Sequence, residues 1–186
     1  PLQKTYLKPK IRLEITETVS AVQYDHPQLV ADTIQATGQI ICSAQVEALE
    51  LRMTVANTDE SLKVHQCVTQ SSNQWIVSPP SMPFQLCTYQ LSDPGKFPIR
   101  GFYQVRETSP NQFKILIQLK LSAQTDNNFE YCDVDIPFLN KPDITTFDLQ
   151  PSVGTTTKTS KKTVTWSIGT KFSGKNMEAS LPGTIN

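Results

Sequence analysis

Apolar and polar residues alternate with a period of two along most of the chain. The segment QFKILIQLKL (112–121) is the clearest case, because every second residue from Phe113 to Leu121 is apolar. Successive side chains of a strand point to opposite faces of a sheet, so this period predicts half-buried β-strands. Helical periodicity is almost absent. We therefore expect an all-β protein of about eleven or twelve short strands, and the clearest further strands are KIRLEITETV (10–19), TVTWSI (163–168) and NMEASLPGTI (176–185).

The apolar faces of the predicted strands also predict the core. Thirteen prolines lie mostly between the alternating runs, where proline ends strands and shapes turns. We expect negligible helix content and a core that contains Leu13, Ile15, Ile40, Val68, Phe84, Leu86, Ile115, Ile117, Ile136, Trp166 and Ile168.

One turn-rich stretch divides the chain. LSDPGKFP (91–98) combines two prolines, a glycine and an aspartate, a composition that marks turns and linkers. A chain of 186 residues is long enough for one large β domain or two small ones. We therefore predict two subdomains, 1–93 and 94–186.

Composition limits the classes of partner. Lysine plus arginine and aspartate plus glutamate number 17 each, so the formal net charge is zero and no nucleic-acid partner is expected.

No apolar run approaches the length of about 18 residues that a transmembrane helix needs. The N-terminal stretch PLQKTYLKPK has no apolar core, so we expect that it is not a signal peptide. It also lacks an initiator Met, which indicates a segment excised from a longer protein. None of the four cysteines (Cys42, Cys67, Cys87 and Cys132) belongs to a CxxC pair. We therefore expect reduced thiols and a cytosolic location.

The segment VHQCV (64–68) raises the question of catalysis. His65 and Cys67 are i and i+2, so on a strand they would share one face. They could be a nucleophile with its base, half of a metal site, or an ordinary strand segment. No second His/Cys pair lies at zinc-like spacing, and no hydrolase or phosphate-binding motif occurs. We expect a non-enzymatic protein without cofactor or metal, with a hydrolase using Cys67 as the enzymatic alternative.

The polar stretch VGTTTKTSKK (153–162) is predicted to be a loop between two strands. It holds Lys158, Lys161 and Lys162. These lysines form either a solvated hairpin tip or a contact for an anionic membrane, to which each basic residue adds about 1 kcal/mol.

Several segments, read together, resemble the mu-homology domain of adaptor-complex medium subunits. They occur in the family's order and cover the chain from Lys10 onward. The segments are HQCV (65–68), SPPSMPFQLCTY (78–89), FPIRGFYQVRE (97–107), VDIPFLN (134–140), SVG (152–154) and VTWSIGTKFSGKNMEASL (164–181). Within the family, GFYQV, NNFEYCDVDIPF and FSGKNMEASLPGTI are most similar to the medium subunits of the fifth adaptor complex.

The resemblance implies two linked antiparallel β-sandwich subdomains, the second inserted in the first. It also implies a vesicle-trafficking adaptor that assembles with two large subunits and one small subunit. The implied location is the cytosolic face of late endosomes and lysosomes, with spatacsin, spastizin, cargo tails and phosphoinositide membranes as further partners. A mu-homology interaction scaffold of an endocytic organiser is the alternative within the same fold.

Three positions depart from the family's cargo groove. In medium subunits that bind Tyr-x-x-Φ tails, an aromatic residue and an aspartate on the first strand hold the tyrosine, with a lysine on the next strand. The resemblance places these positions at Arg12, Glu14 and Ser43. The rest of the groove would come from strands beyond Asn186, so a C-terminally truncated domain is expected, with the strand 11–20 as an unpaired edge. We therefore predict that tyrosine motifs are not bound.

Overall fold

The structure is a computed structural model that describes residues 10–24, 30–45, 50–56, 61–91, 95–173 and 176–186. Within these residues it contains fourteen β-strands and no helix, which confirms the all-β prediction. Consequently no described segment is a helix that could cross a membrane. The strands are β1 (Ile11–Val22), β2 (Thr33–Ala44), β3 (Leu51–Thr54), β4 (Lys63–Val64), β5 (Val68–Ser71), β6 (Gln74–Val77), β7 (Phe84–Gln90), β8 (Ile99–Ser109), β9 (Gln112–Leu121), β10 (Asp133–Pro137), β11 (Phe147–Leu149), β12 (Thr155–Lys158), β13 (Thr163–Ser167) and β14 (Glu178–Ile185).

The chain forms two compact units, Pro1–Gly95 and Lys96–Asn186. The boundary between them falls inside the turn-rich stretch 91–98. The cut predicted after residue 93 lies at positions 92–94, which are outside the described residues. The assignment of the two units as mu-homology subdomains, one inserted in the other, stays a prediction.

The first unit is built from two antiparallel sheets. One has the strand order β1-β2-β7-β4 and the other β3-β6-β5. Cys42, Leu86 and Cys87 from the first sheet pack with Trp75 and Val77 from the second, so a single core lies between the sheets. This arrangement is a small β-sandwich.

A bulge explains two consecutive buried residues in β7. Ile40 pairs with Cys87 but Ile41 pairs with Gln85, so β7 carries one extra residue at Leu86. A bulge locally interrupts the period of two. Leu86 and Cys87 are therefore both buried, although neighbours on a regular strand would face opposite sides.

The second unit repeats the two-sheet plan with a larger core. Its sheets have the orders β11-β14-β9-β8 and β10-β13-β12. Trp166 is fully buried, and its Nε1 donates a 2.8 Å hydrogen bond to the Val153 carbonyl. The core residues are Phe113, Ile115, Leu121, Phe138, Ile144, Leu149, Val164, Trp166, Ile168, Phe172, Ala179, Leu181 and Ile185.

Most predicted core residues lie in or against these two cores. Four are buried (Leu86, Ile115, Trp166 and Ile168), and five more are partly buried and pack against a core: Ile40, Val68, Phe84, Ile117 and Ile136.

The prediction is wrong for Leu13 and Ile15, which are 43% and 63% exposed. Leu13 lies opposite Cys42, so it does point to the core side of the sheet. However, β1 is an edge strand, and within the described residues none of its side chains joins the core.

The predicted loop 153–162 is only partly right. Thr155–Lys158 form β12, which pairs with β13, so only 153–154 and 159–162 are outside a strand. All four residues of β12 are polar and carry no apolar alternation. Short strands such as β4 and β11, with two and three residues, also leave no periodic signal, which explains why more strands are observed than predicted.

Candidate functional site

The three positions that the resemblance assigns to the cargo groove lie together in the first unit. Arg12 and Glu14 are on β1, two residues apart, and therefore share one face of the strand. Ser43 on β2 is paired directly with Arg12. Since Leu13 and Cys42 face the core side, this charged group lies on the opposite, outer face of the sheet.

Arg12 and Glu14 interact with each other. Arg12 Nη2 lies 3.2 Å from Glu14 Oε2, and the two side chains are 78% and 57% exposed. Such an exposed ion pair contributes little to stability, but its two charges largely compensate each other locally. The surface offers a guanidinium, a carboxylate and a hydroxyl, and these three side chains provide no aromatic ring.

The core-side face of β1 carries exposed apolar residues, of which Leu13 and Ile15 were predicted to be in the core. Ile11, Leu13, Ile15 and Val19 are between 43% and 63% exposed. Glu17 lies on the same face between Ile15 and Val19, so the uninterrupted apolar part is Ile11, Leu13 and Ile15. Exposed apolar residues on an edge strand are a common location for pairing with another chain. The alternation identified this face correctly but could not show whether another sheet covers it.

The three candidate lipid-binding lysines lie in the second unit around the β12–β13 hairpin. Lys158 ends β12, whereas Lys161 and Lys162 are in the turn. Lys158 Nζ donates to the Ile144 carbonyl, and Lys162 Nζ donates to the Lys141 carbonyl. The structure thus brings the three lysines against the segment that joins β10 to β11.

That joining segment adds charges that the sequence analysis missed. Asp143 lies 3.9 Å from Lys161 Nζ and 3.5 Å from Lys162 Nζ. Lys141 adds a further cation, and its Nζ lies 4.7 Å from the centre of the Phe113 ring. We name the set Lys141, Asp143, Lys158, Lys161 and Lys162 the basic surface. Its four lysines outnumber its single carboxylate, so it has a net positive charge.

VHQCV (64–68) is not one continuous strand, although an ordinary strand segment was one of its three interpretations. The segment runs from the end of β4 through a turn into β5, and the Val68 amide donates a 3.0 Å hydrogen bond to the His65 carbonyl. His65 Nδ1 accepts a 3.2 Å hydrogen bond from the Cys67 amide. The imidazole also packs 5.0 Å from the Phe84 ring, centre to centre.

These contacts do not activate Cys67. Burial raises the pKa of the Cys67 thiol, which favours the neutral form over the nucleophilic thiolate. His65 Nδ1 is directed at a backbone amide, so the geometry is not that of a nucleophile with its base. In the part of the chain that the structure describes, no cluster of three His, Cys, Asp or Glu side chains could hold a metal ion.

The chain is similar in sequence to mu subunits of the AP-5 complex. The chain is 34% identical to the AP-5 complex subunit mu-1 of Homo sapiens, over 96% of this chain and 41% of that protein. It is 32% identical to the AP-5 complex subunit mu of Arabidopsis thaliana, over 100% of this chain and 33% of that protein. The chain thus spans well under half the length of these curated relatives.

The fold and the family agree with this similarity. A homology model of the full-length AP-3 complex in an intermediate open conformation superposes with a TM-score of 0.58 at 13% identity, over 95% of this chain and 51% of the matched chain. The family model described as "Adaptor complexes medium subunit family" matches residues 1–186. The chain therefore belongs to the adaptor complexes medium subunit family.

Proposed function

We propose that this chain is a non-enzymatic domain of the medium subunit of a heterotetrameric adaptor complex that acts in vesicle-mediated protein transport. The observation that carries the proposal is the family match along the whole chain. Two β-sandwich units in which burial disfavours the Cys67 thiolate fit a binding role better than a catalytic one.

The similarity to AP-5 mu subunits suggests a more specific assignment. We infer partnership with the large and small subunits of that complex, on the cytosolic face of late endosomes and lysosomes, and with spatacsin and spastizin. The test is co-precipitation of the tagged chain with the large subunits from a cell lysate, with an unrelated β-sandwich of similar size as control. Recovery of the large subunits supports the proposal. Their absence, with recovery of endocytic coat components, would favour an interaction scaffold.

We further propose that the basic surface contacts anionic, phosphoinositide-containing membranes. Four lysines against one aspartate give a local net charge of three although the whole chain is neutral. Each basic residue near an anionic bilayer adds about 1 kcal/mol of attraction, and the attraction weakens with salt. Lys158 uses one donor on a backbone carbonyl, and Lys162 uses one on a carbonyl and also faces Asp143 at 3.5 Å. An ammonium group has three donors, so both lysines can still bind a phosphate.

Liposome co-sedimentation tests this contact. The replacement Lys161→Gln removes a highly exposed charge from the surface, since the Lys161 side chain is 83% exposed. We expect about fivefold weaker binding to phosphoinositide vesicles. Lys171→Gln is the matched control, because Lys171 is an exposed lysine beyond the opposite end of β13. Equal loss in both variants would indicate a general charge effect and contradict a localised contact.

A further inference from the structure

Leu139 is an exposed aliphatic residue beside the basic surface, on the same joining segment as Lys141 and Asp143. It is 74% exposed, the highest value among the large hydrophobic side chains of the described residues. Its neighbour Phe138 is buried, as is Ile144 at the other end of the segment. The chain therefore enters the core on both sides of a short segment and leaves Leu139 outside it.

The backbone around Leu139 is fixed by hydrogen bonds. The Lys141 amide donates to the Phe138 carbonyl over 3.2 Å, which closes a turn with Leu139 and Asn140 at its centre. The Phe138 amide donates to the Lys162 carbonyl, and the Ile144 amide donates to the Lys161 carbonyl, both over 2.8 Å. The turn is thus attached to the lysine-bearing hairpin, and little backbone entropy remains to be lost when Leu139 is buried by a partner.

Leucine is an unusual residue for the tip of a turn, where Gly, Pro, Asn, Asp and Ser predominate. Leaving a leucine in water forgoes the favourable free energy of its burial. Lys141, Lys161 and Lys162 are held next to the same turn by the contacts described above. An apolar tip next to several cations is complementary to the surface of an anionic bilayer, where headgroups carry negative charge above an apolar interior.

We propose that Leu139 is an apolar anchor that inserts into an anionic lipid bilayer while the lysines of the basic surface bind its headgroups. The inference rests on the proposed membrane contact of this surface and names the side chain that enters the membrane. The lysines alone provide only electrostatic attraction, which salt screens. Insertion of Leu139 adds an apolar contribution, which for partial burial of one leucine corresponds to about tenfold stronger binding.

The first experiment is co-sedimentation of the whole chain with phosphatidylcholine vesicles that contain one fifth phosphatidylserine. We expect Leu139→Ser to weaken binding about tenfold and Leu139→Phe to preserve it. Met82→Ser is the matched control, because Met82 is 73% exposed but lies in the other unit. This control should bind like the unmodified chain.

The second experiment detects insertion directly. Both tryptophans of the chain are buried, Trp75 at 1% and Trp166 at 0% exposure, so their fluorescence reports little on the solvent. A third tryptophan introduced by Leu139→Trp should shift its emission to shorter wavelength on the same vesicles and be quenched by brominated acyl chains. Met82→Trp should show neither effect.

The outcomes separate the anchor from the underlying contact. Binding that depends on Lys161 but not on Leu139, with no shift for Leu139→Trp, would overturn the anchor and leave the electrostatic contact standing. Absence of vesicle binding by the unmodified chain would overturn both. If Leu139→Ser instead abolished co-precipitation of a large adaptor subunit without affecting vesicles, the tip would be a protein contact, which would also overturn the anchor.

Discussion

The hydroxyl of Tyr89 donates a 2.7 Å hydrogen bond to Glu17 Oε1 across an intervening strand. Glu17 on β1 and Tyr89 on β7 are both paired with Gly38 on β2. Because Gly38 has no side chain, the phenol ring can cross the sheet above it. A β-carbon at this position would lie 2.1 Å from Cζ of Tyr89. The edge strand β1, which adds no side chain to the described core, is thus connected by this hydrogen bond to a strand two places away.

Replacement of Gly38 by alanine should have opposite effects on stability in the presence and in the absence of the Tyr89 ring. In the unmodified chain, Gly38→Ala should displace the Tyr89 ring, break the bond to Glu17 and destabilise the first unit by about 1–2 kcal/mol. In a Tyr89→Ala background, the same change should stabilise the unit by about 0.5–1 kcal/mol, because alanine loses less backbone entropy than glycine on folding. Urea unfolding of the four proteins measures both values. The same sign in both backgrounds would contradict this explanation.

Tyr89 should make the stability of the first unit depend on alkaline pH. The hydrogen bond to Glu17 raises the pKa of Tyr89 from 10.0 to about 12, with smaller contributions from burial and the negative charge of Glu17. The folded state therefore favours the neutral phenol. Its contribution is complete below pH about 10 and is lost as the pH rises towards 12.

The measurement is the loss of unfolding free energy between about pH 9 and pH 11. We expect a smaller loss for Tyr89→Phe than for the unmodified chain, because phenylalanine cannot ionise. Tyr24→Phe removes another phenol of the same unit and should behave like the unmodified chain. Equal losses for Tyr89→Phe and the unmodified chain would contradict the prediction.

The two tryptophans should differ in their response to replacement by phenylalanine. Trp166 Nε1 is hydrogen-bonded to the Val153 carbonyl, whereas Trp75 Nε1 is buried without a partner among the described residues. Trp166→Phe removes a hydrogen bond, and Trp75→Phe removes an unsatisfied donor. We expect Trp166→Phe to cost about 1–3 kcal/mol more, measured by circular dichroism during urea unfolding of each unit. Similar costs would be inconsistent with this difference in hydrogen bonding.

Alternation along the chain predicted strands well and burial less well. β9 coincides with the predicted segment 112–121, since its period is uninterrupted. The burial of Cys87 was missed because the β7 bulge breaks the period. The exposure of Leu13 and Ile15 was missed because burial depends on a second sheet reaching over β1, which is a tertiary property. The pattern indicates which face is apolar, and only the packing determines whether that face is covered.

The candidate sites show the same difference between what a sequence pattern indicates and what only the packing determines. Arg12 and Ser43 could be assigned to one surface because their positions match a family pattern, and the strand pairing does place them opposite each other. Leu139 and Asp143 were not singled out. Their proximity to the lysine hairpin results from hydrogen bonds such as Phe138 to Lys162, which join segments distant in sequence. No local sequence pattern specifies such contacts.

Asp143 should weaken the proposed attraction of the basic surface to anionic membranes. It lies within 4 Å of two of the lysines and offsets one of their charges. Asp143→Asn should strengthen binding to anionic vesicles about fivefold, the equivalent of about 1 kcal/mol per charge. Asp126→Asn makes the same change of net charge at an exposed position in a different loop and should have a smaller effect. Equal strengthening by both variants would mean that total charge, and not this surface, determines binding.

The outer face of β1 should not bind Tyr-x-x-Φ peptides. Such peptides bind as extended strands, and side-chain pockets provide their specificity. Arg12 stands at the position that the family resemblance assigns to the aromatic wall, and its charge is engaged with Glu14 at 3.2 Å. Glu14 holds its carboxylate one methylene further from the backbone than aspartate would, and Ser43 lacks the long aliphatic stem of lysine. A phenol ring would therefore lie on an exposed ion pair instead of in a desolvated pocket.

Loss of a buried aromatic anchor costs about 2 kcal/mol or more, roughly thirtyfold in affinity. Calorimetric titration of the chain with a tyrosine-motif peptide should therefore show no binding heat. The informative variant is the triple replacement Arg12→Phe, Glu14→Asp and Ser43→Lys, which restores the residue types of the family pattern at positions that the strand pairing holds together. If these three positions limit recognition, the triple variant should bind more strongly than the unmodified chain. Micromolar binding by the unmodified chain, abolished when the peptide tyrosine is changed to alanine, would show that Arg12 and Glu14 form a working tyrosine pocket and would contradict the prediction.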